Sequence, residues 1–213
     1  MPVSGRILKR YPQRRIGRRR ALALAVLAPL AACQSAPPAQ TLGGEDAATL
    51  ARVQAYLNSL RTLHARFEQI SPNGTTNVGT LWMQRPGHLR LQYAPPSPLT
   101  LIAANGTVLL YNASTEATTI MPLSRSPLGI LLSHEVTLSG PVTVTSVRRA
   151  PRQLQVSIER TSEPSQGSLT LLFTEPMLSL RALRIVDAHG QSTDFRLLQL
   201  HSGVNIDPSI FRL

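Results

Sequence analysis

Apolar residues near position 50 recur at intervals of three and four, which is the spacing of one face of a helix. This stripe consists of Leu50, Val53, Leu57, Leu60 and Leu63. Glu45 and Asp46 stand at its start, where the helix dipole favours negative charge. Beyond Ser59 apolar and polar positions alternate instead. The pattern therefore predicts a helix that ends near residue 59 and a first strand over 62–70.

Most of the remaining chain alternates in the same way, in short segments separated by turn residues. Strands are predicted at 78–84, 88–93, 99–104, 107–112, 117–121, 141–147, 152–159, 167–173, 180–186 and 193–200. Asn73-Gly74 and Asn105-Gly106 predict hairpins with type I′ turns, in which both central residues have positive φ. A short helix is expected within 123–135 and a helical turn after Asp207-Pro208. The fold class is therefore mainly β (α+β), with one large antiparallel sheet.

An arginine continues an apolar row in the region 81–93. By alternation Leu81, Met83 and Arg85 share one face of a strand. A guanidinium on an apolar face needs hydrogen-bond acceptors, because an unpaired buried charge costs several kcal/mol. The carbonyls at the C-terminal end of a helix lack partners and would suit its planar set of donors. Placement at the rim of the sheet, beside Pro86, is the alternative.

The basic residues are concentrated at the N-terminus. The chain carries a formal charge of +11, but eight of its 22 basic residues precede position 21, and the rest carries only +3. Aromatic residues make up 4%, too few for platforms that stack nucleic-acid bases. No nucleic-acid partner is therefore expected.

The first 33 residues have the pattern of an export signal. An apolar run from Ala21 to Ala32 follows the basic residues and ends in Leu-Ala-Ala-Cys, where Cys33 is the sole cysteine. This ending resembles a lipobox, which makes Cys33 a candidate for lipidation; an ordinary signal peptide is the alternative. Residues 34–44 are rich in proline, glycine and alanine and predict a linker. The domain at 45–213 contains no cysteine for a disulfide or a metal site.

Several blocks of the chain together resemble the LolA family of periplasmic outer-membrane lipoprotein carriers. The blocks are LHARFEQ, GTLWMQRPGHLRLQY, the Asn105-Gly106 hairpin, LRALRIVDAHGQSTDFRL and DPSIFRL. The resemblance covers roughly 50–213. It implies an incomplete antiparallel β-barrel (a half-barrel) with short helices as a lid over an apolar cavity. It also implies that Arg85 hydrogen-bonds helix carbonyls and latches the lid.

The same resemblance implies the cargo and the cavity. The protein would bind the acyl chains of lipoproteins and carry them across the periplasm, as a monomer without a cofactor. Its partners would be an inner-membrane lipoprotein-releasing transporter and an outer-membrane receptor. The residues expected to line the cavity are apolar; they are Leu81, Met83, Leu89, Leu91, Tyr93, Leu128, Leu131 and Leu132.

Some positions depart from the family pattern. Leu91 stands where an aromatic residue is usual, and Asn105 where aspartate is common. Tyr111 lies one residue earlier than expected, and a one-residue slip reverses a strand's faces. The inward residues after position 106 therefore stay undecided. A lipidated cysteine is also unusual, because carriers of this family are normally soluble.

Three other functions compete with a soluble carrier. Motifs of hydrolases, metalloproteases and nucleotide-binding enzymes do not occur, and the five histidines are widely spaced, so neither an enzyme nor a metal site is expected. The lipobox-like sequence favours a membrane-anchored acceptor that resembles LolB, at the outer membrane. An envelope adaptor lipoprotein with a filled barrel is the remaining alternative.

Overall fold

Eleven strands form one antiparallel sheet in the computed structural model, which describes residues 44–212. The strands are β1 (Thr62–Ile70), β2 (Thr76–Gln84), β3 (His88–Tyr93), β4 (Leu99–Ala104), β5 (Thr107–Asn112), β6 (Ala117–Pro122), β7 (Val142–Ala150), β8 (Gln153–Arg160), β9 (Ser168–Thr174), β10 (Ser179–Val186) and β11 (Ser192–Ser202). The α-helices are α1 (Gly44–Ser59) and α2 (Leu128–Leu131). Short 3-10 turns lie at Leu123–Arg125, Pro164–Gln166 and Pro208–Phe211.

The sheet is open, with two free edges. Its strand order is β6-β5-β4-β3-β2-β1-β11-β10-β9-β8-β7, so β6 and β7 are not paired with each other. The expected mainly β fold, with an unclosed antiparallel sheet and few short helices, is confirmed. Among residues 44–212, no helix has the length and apolar character that crossing a bilayer requires. The predicted leader and linker lie outside the described residues, except Gly44, which begins α1.

The two Asn-Gly pairs behave differently. Asn105 and Gly106 both have positive φ, at 50° and 74°, as a type I′ turn requires. At the other pair only Gly74 does, with φ of 81°. There the Asn73 side chain accepts a hydrogen bond from the backbone N–H of Thr75 at 3.0 Å. The type I′ prediction at Asn73 is therefore wrong, because the side chain stabilises a longer loop in its own way.

Helix α1 packs on the inner face of the sheet with its leucine and valine stripe buried. Arg149 of β7 forms an ion pair with Asp46 in the first turn, at 2.7 Å. Further along, the Tyr56 hydroxyl accepts the backbone N–H of Leu180, and the Tyr56 ring meets Phe173 edge-on. These contacts hold the helix against both β7 and the β9–β10 hairpin.

The C-terminal segment covers part of the outer face instead. Arg90 of β3 donates to the carbonyls of Ile210 and Arg212, at 2.9 and 2.8 Å. Phe211 is buried and lies 5.3 Å from the His88 ring, measured between ring centroids. The predicted helical turn is present, and the Asp207 side chain caps it by accepting from the Ser209 N–H. This segment leaves the inner face free for α1 and α2.

Candidate functional site

The inner face of β2 and β3 carries a continuous apolar wall. Leu81 pairs with Leu91 and Met83 with Leu89 across the two strands, and all four side chains are buried. Alternation produces this wall, since every second residue of each strand points inward. Two strands beyond β3, Val108 of β5 is buried and pairs with Ala103 of β4, which settles the inward position left undecided after residue 106.

Leucines of the α2 segment close over this wall and leave a cavity of about 30 Å³ whose exposed lining is wholly apolar. Seven of the eight residues predicted for the cavity line it, namely Leu81, Met83, Leu89, Leu91, Leu128, Leu131 and Leu132. A water molecule needs roughly 10–15 Å³ of such space, so the cavity is too small for an alkyl chain. The structure therefore shows a closed interior.

Tyr93 is the predicted residue that does not line the cavity. Its ring is buried and meets Phe67 edge-on, with centroids 5.2 Å apart. Its hydroxyl donates to the side-chain oxygen of Gln69. Burial raises the pKa of Tyr93 to about 12, because the ionised phenolate is poorly solvated there. Tyr93 thus belongs to the packed floor of the sheet, next to the cavity.

Strands β1, β10 and β11 supply lining residues that the sequence analysis missed. These are Leu63, Leu180, Leu183, Phe195 and Leu197. In β11 the alternation carries the signal, since Phe195 and Leu197 are buried whereas Leu198 is 52% exposed. In β10 a register shift between Leu180 and Ala182 interrupts the alternation, so the buried Leu180 and Leu183 lie three residues apart. Period-two alternation therefore predicts Leu63, Phe195 and Leu197 as inward residues, whereas it does not predict Leu180 and Leu183 together.

The lid consists of α1 together with residues 123–138. Asn58 joins the two parts, because its side chain accepts from the Val136 N–H and donates to the Val136 carbonyl, both at 2.9 Å. One turn earlier, the Gln54 side chain accepts from the Leu138 N–H at 2.9 Å. The Gly87 N–H donates to the Leu132 carbonyl at 2.8 Å, which fixes the lid to the β2–β3 turn.

Arg85 lies where the wall and the lid meet, and it is 6% exposed. Its Nη1 donates to the Leu57 carbonyl in the last turn of α1 at 2.6 Å. Its Nε donates to the Ser133 carbonyl at 3.0 Å. Its Nη2 donates to the Asn58 side chain at 3.1 Å and to the His134 carbonyl at 3.2 Å. One guanidinium thus binds both parts of the lid at once.

Arg85 is a buried cation whose charge is stabilised by the dipoles of carbonyl and amide groups. Burial, and to a smaller extent the positive charge of Arg61, lower the pKa of the Arg85 guanidinium. An arginine stays protonated at neutral pH even so. Its partners are neutral carbonyl and amide oxygens, without a carboxylate among its hydrogen bonds within residues 44–212. The contact is therefore a set of hydrogen bonds, which a competing interaction can replace one at a time.

Clefts on the outer surface are larger and have mixed polar and apolar linings. The cleft beside β9, β10 and β11 has a volume of about 260 Å³ and is bordered by the ion pair between Arg184 and Asp194. Such a lining does not suit an alkyl chain. Within the described part of the chain, the acidic and histidine side chains form no group of three that could hold a metal ion. Cys33, the predicted lipidation site, lies outside the described residues.

Comparison with known proteins now identifies the family. The family model of the outer membrane lipoprotein carrier protein LolA matches residues 58–213, which is most of the chain. The chain belongs to the LolA family. The match includes all eleven strands, residues 123–138 and Arg85, and α1 lies mostly before it.

Two curated relatives of this LolA-family chain carry the name "Outer-membrane lipoprotein carrier protein". The one from Alkalilimnicola ehrlichii is 30% identical over 206 residues and covers 89% of each chain. The one from Methylococcus capsulatus is 26% identical over 169 residues, 76% of this chain and 81% of the relative. Among solved structures, a LolA superfamily protein from Nitrosomonas europaea matches 77% of this chain and 97% of its own, with 5% identity and a TM-score of 0.44.

Proposed function

We propose that this protein binds the acyl chains of lipoproteins between the wall and the lid and carries them across the periplasm to the outer membrane. The role is that of a binding protein and not of an enzyme. The observation that supports it most directly is the wholly apolar interior beneath a lid that Arg85 fastens by hydrogen bonds. Membership of the LolA family supports the same role.

The closed interior explains how such a carrier avoids binding too tightly. Burying an alkyl chain is worth about 0.8 kcal/mol per methylene, so three chains with roughly 45 methylenes carry far more free energy than reversible binding tolerates. Opening the lid exposes its leucines and breaks the Arg85 hydrogen bonds, and this cost offsets part of the gain. The net binding free energy is therefore the difference between the gain from burying the alkyl chains and the cost of opening the lid.

The proposed route places one partner at each membrane. An inner-membrane lipoprotein-releasing transporter would load the open form, and an outer-membrane receptor would take the cargo over. Arg85 acts as the latch in this scheme, since its hydrogen bonds re-form only when the interior empties and the lid closes. The carrier needs no nucleotide site, because the closed state itself drives release.

The direct test is co-elution of the purified protein with a triacylated lipoprotein and, separately, with its non-acylated form. Binding of the acylated form alone supports the proposal. Two adjacent leucines of β11 provide matched variants, because Leu197 lines the cavity and Leu198 points outward. Leu197→Gln should weaken co-elution strongly, whereas Leu198→Gln should leave it unchanged.

Three results would contradict this function. Equal binding of the two lipoprotein forms would place recognition outside the cavity. Binding of neither form by the wild type would favour an adaptor with a permanently filled barrel. Loss of binding in both leucine variants, with unchanged thermal midpoints, would remove the link to the inner face of β11.

A membrane-anchored acceptor is a second candidate, favoured by the Leu-Ala-Ala-Cys sequence that ends at Cys33. An acceptor and a carrier would use the same cavity and differ in whether Cys33 is acylated. Palmitate labelling of the wild type that disappears in Cys33→Ala would favour the acceptor. An unlabelled wild type would leave the soluble carrier.

A further inference from the structure

A second arginine continues an apolar row on the opposite side of the interior. In β8 the inward residues Leu154, Val156 and Ile158 are fully buried, and Arg160 occupies the next position with the same alternation. This arrangement parallels the one at the end of β2, where Arg85 stands directly after the strand and continues the row of Leu81 and Met83. The two arginines thus end two inward rows on different walls of the half-barrel.

The guanidinium of Arg160 lies directly against the lid. A methyl group added at Gly129 of α2 would lie 2.6 Å from its Nη2 and 2.7 Å from the Leu123 carbonyl oxygen. The absence of a side chain at Gly129 is therefore what allows this close approach. Arg160 meets the 123–129 part of the lid, whereas Arg85 meets α1 and residues 133–134.

Arg160 differs from Arg85 in its hydrogen bonds. Within residues 44–212 its Nε is buried without an acceptor. The other buried side-chain atom without a partner is Oε1 of Gln166, in the 3-10 turn that follows β8. Both unmet polar atoms of the described chain therefore belong to the end of β8 and its connection to β9.

We infer that Arg160 is a cargo-binding residue, which donates to the ester carbonyl oxygens of the acylglyceryl group when the lid is open. This inference rests on the proposed function. A buried donor left unpaired is costly, and a ligand that supplies the acceptor recovers that cost on binding. Arg160 thus favours the loaded state, while Arg85 favours the empty one.

The chemistry of the ligand follows from the chemistry of the site. A guanidinium only donates, so the matching ligand atom must be an acceptor. The two alkyl chains of a diacylglyceryl group carry their first polar atoms at the ester linkages. A neutral carbonyl also enters a low-dielectric site at a smaller cost than a carboxylate. The end of an apolar row, beneath the lid, is where such a head group would lie.

The test compares two synthetic lipopeptides of equal chain length. One carries a diacylglyceryl group with ester linkages, and the other carries the dialkyl ether analogue, which lacks those carbonyls. The purified wild-type protein should bind the ester form about tenfold more tightly, the value of one charge-assisted hydrogen bond. Arg160→Met should reduce this ratio to near one. Arg160→Lys should retain part of the preference.

Each outcome bears on a separate claim. An ester preference that persists in Arg160→Met overturns the inference, and so does equal binding of both lipopeptides by the wild type, although the proposed function would then stand. If the wild type binds neither lipopeptide, the proposed function fails and this inference fails with it. Competition by a diacyl phosphatidylglycerol shows whether the ester contact is confined to lipoproteins or extends to phospholipids.

The thermal midpoint of the empty protein provides an independent readout. Because the Arg160 side chain makes no hydrogen bond within residues 44–212, Arg160→Met should keep or raise the midpoint, and this also shows that the variant folds. A midpoint lowered as much as in Arg85→Met would make Arg160 a structural residue and overturn the inference.

Discussion

The two sides of the interior differ in whether their buried polar side chains are hydrogen-bonded. On the side of β1, β2 and β3, Arg85 has four hydrogen bonds and the Tyr93 hydroxyl is paired with Gln69. On the side of β8 and β9, Arg160 Nε and Gln166 Oε1 are buried without partners among residues 44–212. Hydrogen bonds of buried polar groups therefore stabilise the closed state on the first side, whereas on the second side two such groups lack hydrogen bonds. This asymmetry is what a binding site needs if it must close when empty and still accept cargo.

Among the substitutions that test this difference, loss of Arg85 should change the unfolding free energy most. Arg85→Met removes four hydrogen bonds and leaves buried carbonyls without donors, so we expect a loss of about 3–5 kcal/mol in unfolding free energy. Urea denaturation measures it. Arg181→Met is the control, because Arg181 is exposed and makes no side-chain hydrogen bond within residues 44–212. That control should change stability by less than about 0.5 kcal/mol. Equal effects of the two variants would contradict the role of Arg85 in closure.

The same Arg85 variant should bind cargo and release it slowly. Without the latch the closed state loses stability, whereas the loaded open state does not, so the dissociation rate of a lipoprotein should fall. A chase with excess acceptor vesicles measures release. Wild-type release kinetics in Arg85→Met would show that lid closure does not control release.

Tyr93 extends the comparison to pH, with a smaller effect. Its pKa is raised from about 10 to about 12 by burial, so the folded state holds the proton more firmly than the unfolded state. This contribution is fully present below pH 10 and is lost as the pH rises through 12. At 1.36 kcal/mol per unit, the loss amounts to about 2–3 kcal/mol. Tyr93→Phe should flatten that part of the stability profile, and an unchanged slope between pH 10 and 12 would assign it to other groups.

Substitution of one glutamine on each side of the interior compares the two sides directly, and we expect the smallest change in stability here. The side-chain oxygen of Gln69 accepts a hydrogen bond from the Tyr93 hydroxyl, whereas the buried side-chain oxygen of Gln166 has no partner in the described part of the chain. Gln69→Leu should cost about 1–3 kcal/mol, because it leaves the hydroxyl unpaired. Gln166→Leu should be neutral or stabilising by less than about 1 kcal/mol. Thermal unfolding of both variants decides the matter, and equal losses would contradict the asymmetry.

The alternation of side chains carried most of the fold prediction. Every predicted strand is present, and β1, β3, β4 and β5 have the predicted bounds. Period-two patterns are reliable for the central strands because one face of each is buried, so a slipped register would expose the core. The edge strand β6 is the exception, since all six of its residues are exposed. Arg85 was predicted to need acceptors by the same reasoning, and its acceptors are the carbonyls of the lid.

Other features depend on long-range packing that a linear pattern does not contain. The cavity volume results from how closely the lid leucines meet the wall, and no local signal measures that distance. The loop at Asn73 is set by a side-chain hydrogen bond that competes with the type I′ turn. Arg160 is a different case, since QLQVSIER contains the alternation that places it inward. Only its contact with the lid at Gly129 needed the structure.

The pairing of β1 with β11 determines where the sheet can accept additional strands. Phe67 pairs with Leu197, so this seam joins residues that are far apart in sequence, whereas the other pairings within the described sheet link neighbouring strands. The entropic cost of closing that loop rises only with the logarithm of its length. The free edges β6 and β7 are consecutive in the chain, and both lie far from the seam. An extra hairpin inserted between β6 and β7 would add strands at the free edges of the sheet and leave the seam between β1 and β11 intact. The middle of the sequence is therefore the place where a relative of this protein can gain strands without disturbing the seam.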